Sequence, residues 1–356
     1  METRSAARKR ANAEPLVINP KKQRVVLGEL PNLPNLNENQ PKEKPQTRKN
    51  SKLKKSTTNH PLVFSKSDLP VQRNNNGKRD NQQIYEPYES DISNYLRSME
   101  MQKKRRPMVG YIEKIQKNVT TNMRGILVDW LVEVADEYKL LPHTLHLSVS
   151  YIDRFLSLHS VSKSHLQLLG VSSMLIASKY EEITPPKAVD FCHITDNTYE
   201  LAEVIKMEAD ILKSLNFEMG SPNVHTFLKR YVGFATENQK TSKLQMEFLC
   251  NYLADLSLLD YDCIRFLPSV VAASVIFLAR FIIRPALRPW TSSLSECLGY
   301  KSNELEECVH ILHDLYLSRR VSSLKAVRDK YKQHKFKYVA NLPSPPEIPY
   351  NYFDEE

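Results

Sequence analysis

The pattern of hydrophobic and polar positions changes near Ile84. Before it, the chain contains one aromatic residue, Phe64, and eight prolines among many Asn, Gln, Lys and Ser residues. Such a segment cannot bury enough apolar surface to offset the entropy lost on ordering, so residues 1–83 are predicted to form a disordered tail. After it, apolar residues recur at helical spacing, which predicts helices over most of the remaining chain.

A short helix is predicted first, because apolar residues at helical spacing follow Asp91, a residue type that caps helices. Its apolar face consists of Ile92, Tyr95, Leu96 and Met99. A basic linker that ends in Pro107 terminates this helix. Residues 84–110 are therefore predicted to be a short helix and its linker.

Five helices, the fourth of them short, are predicted within residues 111–219, each after a residue that favours a helix start. The predicted start positions are Thr121, Pro142 or His143, Ser162 or Ser164, Pro185 with Pro186, and Asn197. The sequence Gly220-Ser221-Pro222 then indicates a joint between two units.

The helical pattern recurs after this joint. The segment Gly170–Tyr180 resembles Val271–Phe281, and Glu200–Asp210 resembles Glu304–Asp314, at offsets of 101 and 104 residues. Two copies of a five-helix unit are the simplest interpretation. Chance similarity between amphipathic helices is the alternative.

The sequence therefore predicts an all-α fold, with tandem five-helix units at residues 111–219 and 220–342 and a C-terminal extension at residues 343–356. The scarcity of glycine, at 8 residues, also favours helices over strands. No apolar run reaches the length of a membrane span. The 5 cysteines are widely spaced and form no CxxC pair, which is typical of a reduced intracellular protein without structural zinc.

The net charge of +9 is concentrated in the predicted tail. Residues 1–83 hold 18 Lys/Arg and 7 Asp/Glu, whereas residues 84–356 hold 32 and 34. A folded part this close to neutral argues against direct nucleic-acid binding by the fold itself. Phosphate-loop, GxSxG and HExxH motifs do not occur in the sequence, and His143 and His146 share a helix face but have no evident third ligand. We therefore expect neither an enzyme nor a cofactor or metal site.

The helix predicted to start near Thr121 is apolar around almost its whole circumference, so other helices should surround it. It also carries two charged residues, Arg124 and Asp129, which need partners if they are buried. Asp153, on the following helix, is the predicted partner of Arg124.

Several segments together resemble the signature of mitotic and S-phase cyclins, most of all the A type. They include Met123–Val134 (MRGILVDWLVEV), Tyr151–Leu156 (YIDRFL), Ala177–Glu182 (ASKYEE) and Ile194–Tyr199 (ITDNTY). The likeness covers about Tyr88–Leu342. The short length and simple tail resemble those of plant A-type cyclins.

The resemblance implies two tandem cyclin boxes and a non-catalytic subunit that binds and activates a cyclin-dependent protein kinase as a heterodimer. Such a subunit recruits substrates and controls progression through S phase, G2 and mitosis. A cyclin-fold transcription factor or a transcription-type cyclin is the alternative. The near-neutral folded part argues against the first of these, and the tail motifs described below argue for a cell-cycle role.

In the family that the chain resembles, Lys179 and Glu208 would lie on the face that grips the kinase's mobile regulatory helix. The apolar residues implied around them are Ile92, Tyr180, Leu212 and Phe217. The repeat pairs Lys179 with Arg280 and Glu208 with Leu312. At the second of these pairs, the first unit has a charge where the second unit has an apolar residue. From pattern alone, Lys179 complements a helix C-terminus and Glu208 is a solvated surface residue.

The resemblance also implies a shallow groove that docks Arg-x-Leu segments of substrates and inhibitors, with Glu133 binding the arginine. The implied groove residues are Met123, Ile126, Leu127, Trp130, Glu133, Leu166 and Gln167. From spacing alone, these apolar residues would belong to the core.

The tail contains two further motifs. The sequence RVVLGELPN resembles a destruction box, which the mitotic ubiquitin ligase reads; its matching residues are Arg24, Leu27, Leu30 and Asn32. Two basic clusters separated by ten residues resemble a bipartite nuclear import signal and predict a nuclear protein, with the cytoplasm as a second location; they comprise Arg8, Lys9, Arg10, Lys21, Lys22 and Arg24. A random apolar patch and a generic basic tail are the respective alternatives.

Three Ser/Thr-Pro pairs are candidate sites for proline-directed phosphorylation. They begin at Thr184, Ser221 and Ser344. The first two are also compatible with simple turns.

Overall fold

A computed structural model describes residues 88–235 and 243–354. Within these ranges the chain forms helices joined by turns and contains no strand, so the prediction of an all-α fold is confirmed. No described helix is long and apolar enough to cross a membrane. The predicted disordered tail, with its destruction-box and nuclear-import motifs, lies outside the described residues.

The first helix, α1, spans Glu89–Glu100. It begins two residues before Asp91, so that residue lies in the first turn and is not the cap; its carboxylate is still favourable there because helix N-termini attract negative charge. Residues 88–95 belong to a unit of their own, in which Ile92 is half-buried and Tyr95 is exposed. The short helix α2, Tyr111–Lys114, follows the linker.

Ten helices of the described residues form the two predicted groups of five. The first group comprises α3 (Thr121–Glu137), α4 (Pro142–Leu156), α5 (Leu166–Glu181), α6 (Ala188–Ile194) and α7 (Leu201–Ser214). The second comprises α8 (Val224–Ala235), α9 (Lys243–Leu259), α10 (Pro268–Ile283), α11 (Ser292–Leu298) and α12 (Ser302–Tyr316). A last helix, α13, spans Ala326–Tyr331.

The two groups repeat one arrangement, because equivalent helices begin at nearly constant separations along the chain. The clearest register marker is a capping box that opens both α7 and α12. Glu203 accepts a hydrogen bond from the Glu200 amide at 2.8 Å, and Glu304 accepts one from the Lys301 amide at 2.7 Å. This places α12 101 residues after α7.

The alignment of Glu208 with Leu312 was therefore wrong by three residues. At the register of the capping boxes, Glu208 corresponds to Val309, and Leu312 corresponds to Ile211, which is buried like it. A shift of three residues keeps nearly the same face of a helix inward, so the apolar pattern alone did not distinguish the two alignments.

Helix α3 lies between the two units, as its apolar circumference predicted. Its cap is Thr120, one residue before the predicted Thr121, and the Thr120 hydroxyl accepts from the Met123 amide at 3.2 Å. The carboxylate of Asp129 accepts from the backbone amides of Lys325 and Ala326 at 3.1 and 3.0 Å. Because those amides lie at the start of α13, Asp129 connects the first unit to the end of the second by hydrogen bonds.

The predicted pairing of Arg124 with Asp153 is confirmed. The guanidinium donates from Nε and Nη2 to the two carboxylate oxygens at 2.7 Å each. Its Nη1 donates to the Leu258 carbonyl of α9 at 2.8 Å. Although burial alone would lower the pKa of Arg124, the Asp153 carboxylate raises it above its ordinary value. One buried cation thus connects α3, α4 and α9.

Residues 343–354, the described part of the predicted C-terminal extension, pack against the second unit. Ile348 and Phe353 are buried, and the Phe353 ring stacks on Phe277 of α10 with centroids 5.0 Å apart. The carbonyl of Phe353 accepts from the Ser302 hydroxyl at 3.1 Å. The extension is therefore part of the second unit's packing.

Replacement of Arg124 by Ala should lower the free energy of unfolding by about 3–5 kcal/mol, because it leaves a buried carboxylate without its counter-charge. Urea denaturation measures this loss. Lys332→Ala is the matched control: it removes an exposed partner of Asp329 and should cost less than about 1 kcal/mol. Similar small losses in both variants would contradict the central role of Arg124.

Candidate functional site

An ion pair between α5 and α7 forms the centre of the first predicted site. The Lys179 ammonium donates to Oε1 of Glu208 at 2.6 Å. The Lys179 side chain is 49% exposed and that of Glu208 is 14% exposed. Lys179 lies in the last turn of α5, where a cation complements the helix dipole. An ammonium carries three N–H groups, so Lys179 can donate to further acceptors from outside the chain.

Apolar side chains beside this pair face solvent. Tyr180 is 54% exposed and Phe217 is 68% exposed, while Leu212 is half-buried. Phe217 follows α7 in the left-handed region, with φ of 58°, and its amide donates to the Leu212 carbonyl at 2.9 Å. We call Lys179, Tyr180, Glu208, Leu212 and Phe217 the open surface.

Three exposed apolar residues near the open surface were not predicted from the sequence. Ile183 follows α5 and is fully exposed, and Leu201 and Ile205 lie on the same face of α7 as Glu208 and Leu212. Their spacing from Glu208 was the available signal, since residues three and seven apart share a helix face.

The corresponding surface of the second unit is covered. Phe281 and His313, the counterparts of Tyr180 and Leu212 at an offset of 101 residues, are 1% and 2% exposed. The C-terminal extension lies over them: Tyr352 packs edge-on against Phe281 with ring centroids 6.2 Å apart. Ser344 reaches His313, with Oγ 3.1 Å from Nε2. Among residues 88–235 and 243–354, the chain covers Phe281 and His313 on the second unit and leaves Tyr180 and Phe217 on the first unit exposed.

The residues predicted to form the docking groove divide into two sets. Ile126 and Trp130 on α3 are half-buried, and Glu133, one turn further, is exposed. The buried remainder consists of Met123, Leu127, Leu166 and Gln167. The surface available for contact is therefore a shallow apolar patch beside one carboxylate, resting on side chains of the core.

The remaining predicted site residues are Ile92 and those of the tail motifs. Ile92 lies in the first half of α1, within residues 88–95, which belong to a separate unit. The motif residues of the tail fall outside the described ranges. No group of three His, Cys, Asp or Glu residues within the described part of the chain could hold a metal ion.

A histidine cluster joins the two units where the sequence indicated only His143 and His146. The ring of His225, from α8, lies 5.8 Å from each of theirs. Burial lowers the pKa of His225 to about 3. Burial would raise the pKa of Asp255, yet Lys330 and His146 hold it well below its usual range. We interpret these groups as a structural contact between the units rather than as a catalytic arrangement.

Comparison with known proteins decides the family. Models of the N-terminal and C-terminal cyclin domains match residues 91–220 and 222–345. A putative cyclin-A3-1 of Arabidopsis thaliana is 54% identical over 356 residues, which cover 99% of this chain and 96% of the relative. The chain belongs to the cyclin family. It is therefore a regulatory subunit of a cyclin-dependent kinase and has no catalytic activity of its own.

A further relative supports this assignment, and a solved structure shares the fold. A G2/mitotic-specific cyclin of Daucus carota is 60% identical over 278 residues, covering 78% of this chain and 81% of the relative. The crystal structure of a viral cyclin from herpesvirus saimiri shares the fold, with a TM-score of 0.55 and 22% identity over 63% of this chain and 96% of that one. The plant relatives place this cyclin among the A-type cyclins, and its two units are its cyclin boxes.

The double variant Lys179→Ala, Glu208→Ala should unfold with nearly the same free energy as the unmodified cyclin, because an ion pair whose ammonium faces solvent contributes at most about 1 kcal/mol. Urea denaturation is the measurement. Lys330→Ala serves as the contrasting control: it removes the 2.9 Å partner of the buried Asp255 carboxylate and should cost roughly 3 kcal/mol. A large loss in the double variant would mean that the pair is structural.

Proposed function

We propose that the open surface of the first box binds the mobile regulatory helix of a cyclin-dependent kinase, and that this cyclin and the kinase form an active heterodimer. The observation that carries the proposal is the difference between the boxes. Tyr180 and Phe217 are exposed around an ion pair, whereas Phe281 and His313, the second-box counterparts of Tyr180 and Leu212, lie under the C-terminal extension. An apolar surface left in water around fixed polar groups is typical of a protein interface.

Activation follows from differential affinity. A kinase whose regulatory helix exchanges between inactive and active positions is shifted toward the active one by a surface that binds only that position. Tyr180 and Phe217 supply apolar contact, and their aromatic rings lose little side-chain entropy on binding. Lys179 donates to carbonyl oxygens of the partner helix, which sets its orientation. The catalytic residues remain those of the kinase.

We further propose that the patch formed by Ile126, Trp130 and Glu133 docks Arg-x-Leu segments of substrates and inhibitors. The half-buried indole and the isoleucine side chain supply an apolar contact for leucine, and the exposed carboxylate supplies a partner for arginine. Because this patch is on α3 and the open surface is on α5 and α7, the two functions use different residues.

The cellular role that we propose is control of S phase, G2 and mitosis by a nuclear protein that the mitotic ubiquitin ligase removes. Support comes from the destruction-box residues Arg24, Leu27, Leu30 and Asn32 and from the basic clusters of the tail. The carrot relative is itself named as specific to G2 and mitosis.

The double variant Lys179→Ala, Glu208→Ala should bind a partner kinase at least about 30-fold more weakly, as expected when central interface residues are truncated. Binding is measured by calorimetry with purified plant cyclin-dependent kinases, and histone phosphorylation reports activation. Retention of full affinity and activation would reject the open surface as the kinase-binding site.

Trp130→Ala is the matched control for this experiment. It should leave kinase binding unchanged but raise the KM for a substrate that bears an Arg-x-Leu segment by about 10-fold, the effect of losing one modest apolar contact. The KM for a short peptide without that segment should not change. Equal losses of kinase binding and substrate docking would contradict the separation of the two sites.

A further inference from the structure

Ser344 is the one hydroxyl of the C-terminal extension that is followed by proline. The backbone around it is outside any helix, and Leu342 has extended torsions of −63° and 134°. Pro343, Pro346 and Glu347 are exposed, and Ser344 itself is half-buried. A Ser-Pro pair that lies outside any helix and is flanked by exposed residues is a form that a proline-directed kinase can accept as a substrate.

The side chain of Ser344 is part of the contact that holds the extension on the second box. The Nε2 atom of His313 lies 3.1 Å from Ser344 Oγ and 3.1 Å from the Pro345 carbonyl. The imidazole is buried and packs edge-on against Phe281, with ring centroids 5.9 Å apart. Burial lowers the pKa of His313, which favours the neutral ring at pH 7.

We propose that Ser344 is a phosphorylation site for a proline-directed kinase and that its phosphate releases the C-terminal extension from the second box. In the reaction Ser344 Oγ forms a bond to the γ-phosphorus of ATP while the bond from that phosphorus to the β–γ bridging oxygen breaks. ADP leaves, and the hydroxyl proton passes to the base of the modifying kinase.

The release follows from the surroundings of Oγ. A phosphate carries close to two negative charges at pH 7 and offers only acceptor oxygens in its dianionic form. Here it would meet the Pro345 carbonyl oxygen, another acceptor, and a buried neutral imidazole against an aromatic ring. The nearby guanidinium of Arg319 is already engaged, by Asp314 at 3.1 Å and by the Pro346 carbonyl at 2.8 Å. Charge and desolvation therefore both oppose the docked extension.

Release of the extension would uncover the apolar counterpart of the open surface. Phe277 would lose the ring of Phe353, and Phe281 would lose that of Tyr352. The modification would thus expose aromatic surface on the second box and lower the stability of the folded chain. This inference concerns the second box alone, so it does not depend on whether the first box binds a kinase.

The test is phosphoserine incorporated genetically at position 344 of the full chain. Hydrogen exchange at Tyr352 and Phe353, whose amides donate to Pro349 and Tyr350, should accelerate at least 10-fold, because the released segment loses its turn. The Tm should fall by roughly 10 °C, as for the loss of a buried aromatic contact.

The matched control is Glu347→phosphoserine, which places the same group at an exposed position of the same segment and should leave both readings unchanged. In a parallel reaction a proline-directed kinase should modify Ser344 in the folded chain but not in Pro345→Ala. Unchanged exchange with phosphate at position 344 would overturn the proposed release. Modification of a synthetic peptide spanning residues 338–352, but not of the folded chain, would overturn the proposed site.

Discussion

The buried ion pair of Arg124 with Asp153 is the interaction on which the arrangement of the two boxes depends. A guanidinium removed from water is stable only if all its donors are engaged in good geometry, and here α4 and the Leu258 carbonyl of α9 provide the partners. These bonds fix α3 between the boxes. Helices α4 and α5 pack against α3, and α7 packs against α5, so the open surface gains the rigidity that selective binding requires.

The C-terminal extension makes two related boxes unequal. In both boxes the end of the third helix lies beside the fifth helix. This arrangement could serve as a binding surface in either box if it were left exposed. In the second box Phe281 and His313 are covered by the chain itself. In the first box Tyr180 and Phe217 remain in water. Within the part of the chain that the structure describes, the duplicated fold thus retains one available surface of this kind, which suits a subunit that activates one kinase.

Local pattern was enough to predict the helices, the repeat and the partner of Arg124, because apolar spacing and the cost of a buried charge are read directly from sequence. It did not fix the register of α7 against α12, since a shift of three residues preserves the inward face. It also gave no indication that Leu201 and Ile205 are exposed, because α7 carries two apolar stripes and the pattern does not say which one a neighbour covers. The contacts of the C-terminal extension and of His225 join residues distant in sequence and leave no local signature.

Hydroxyl-radical footprinting of the cyclin, alone and in complex with an activated plant cyclin-dependent kinase, tests the central claim most directly. If the first box binds the kinase, oxidation of Tyr180 and Phe217 should fall several-fold in the complex. Tyr350, an exposed residue of the C-terminal extension, should be oxidised equally in both states. Unchanged oxidation of Tyr180 and Phe217 in an active complex would contradict the account.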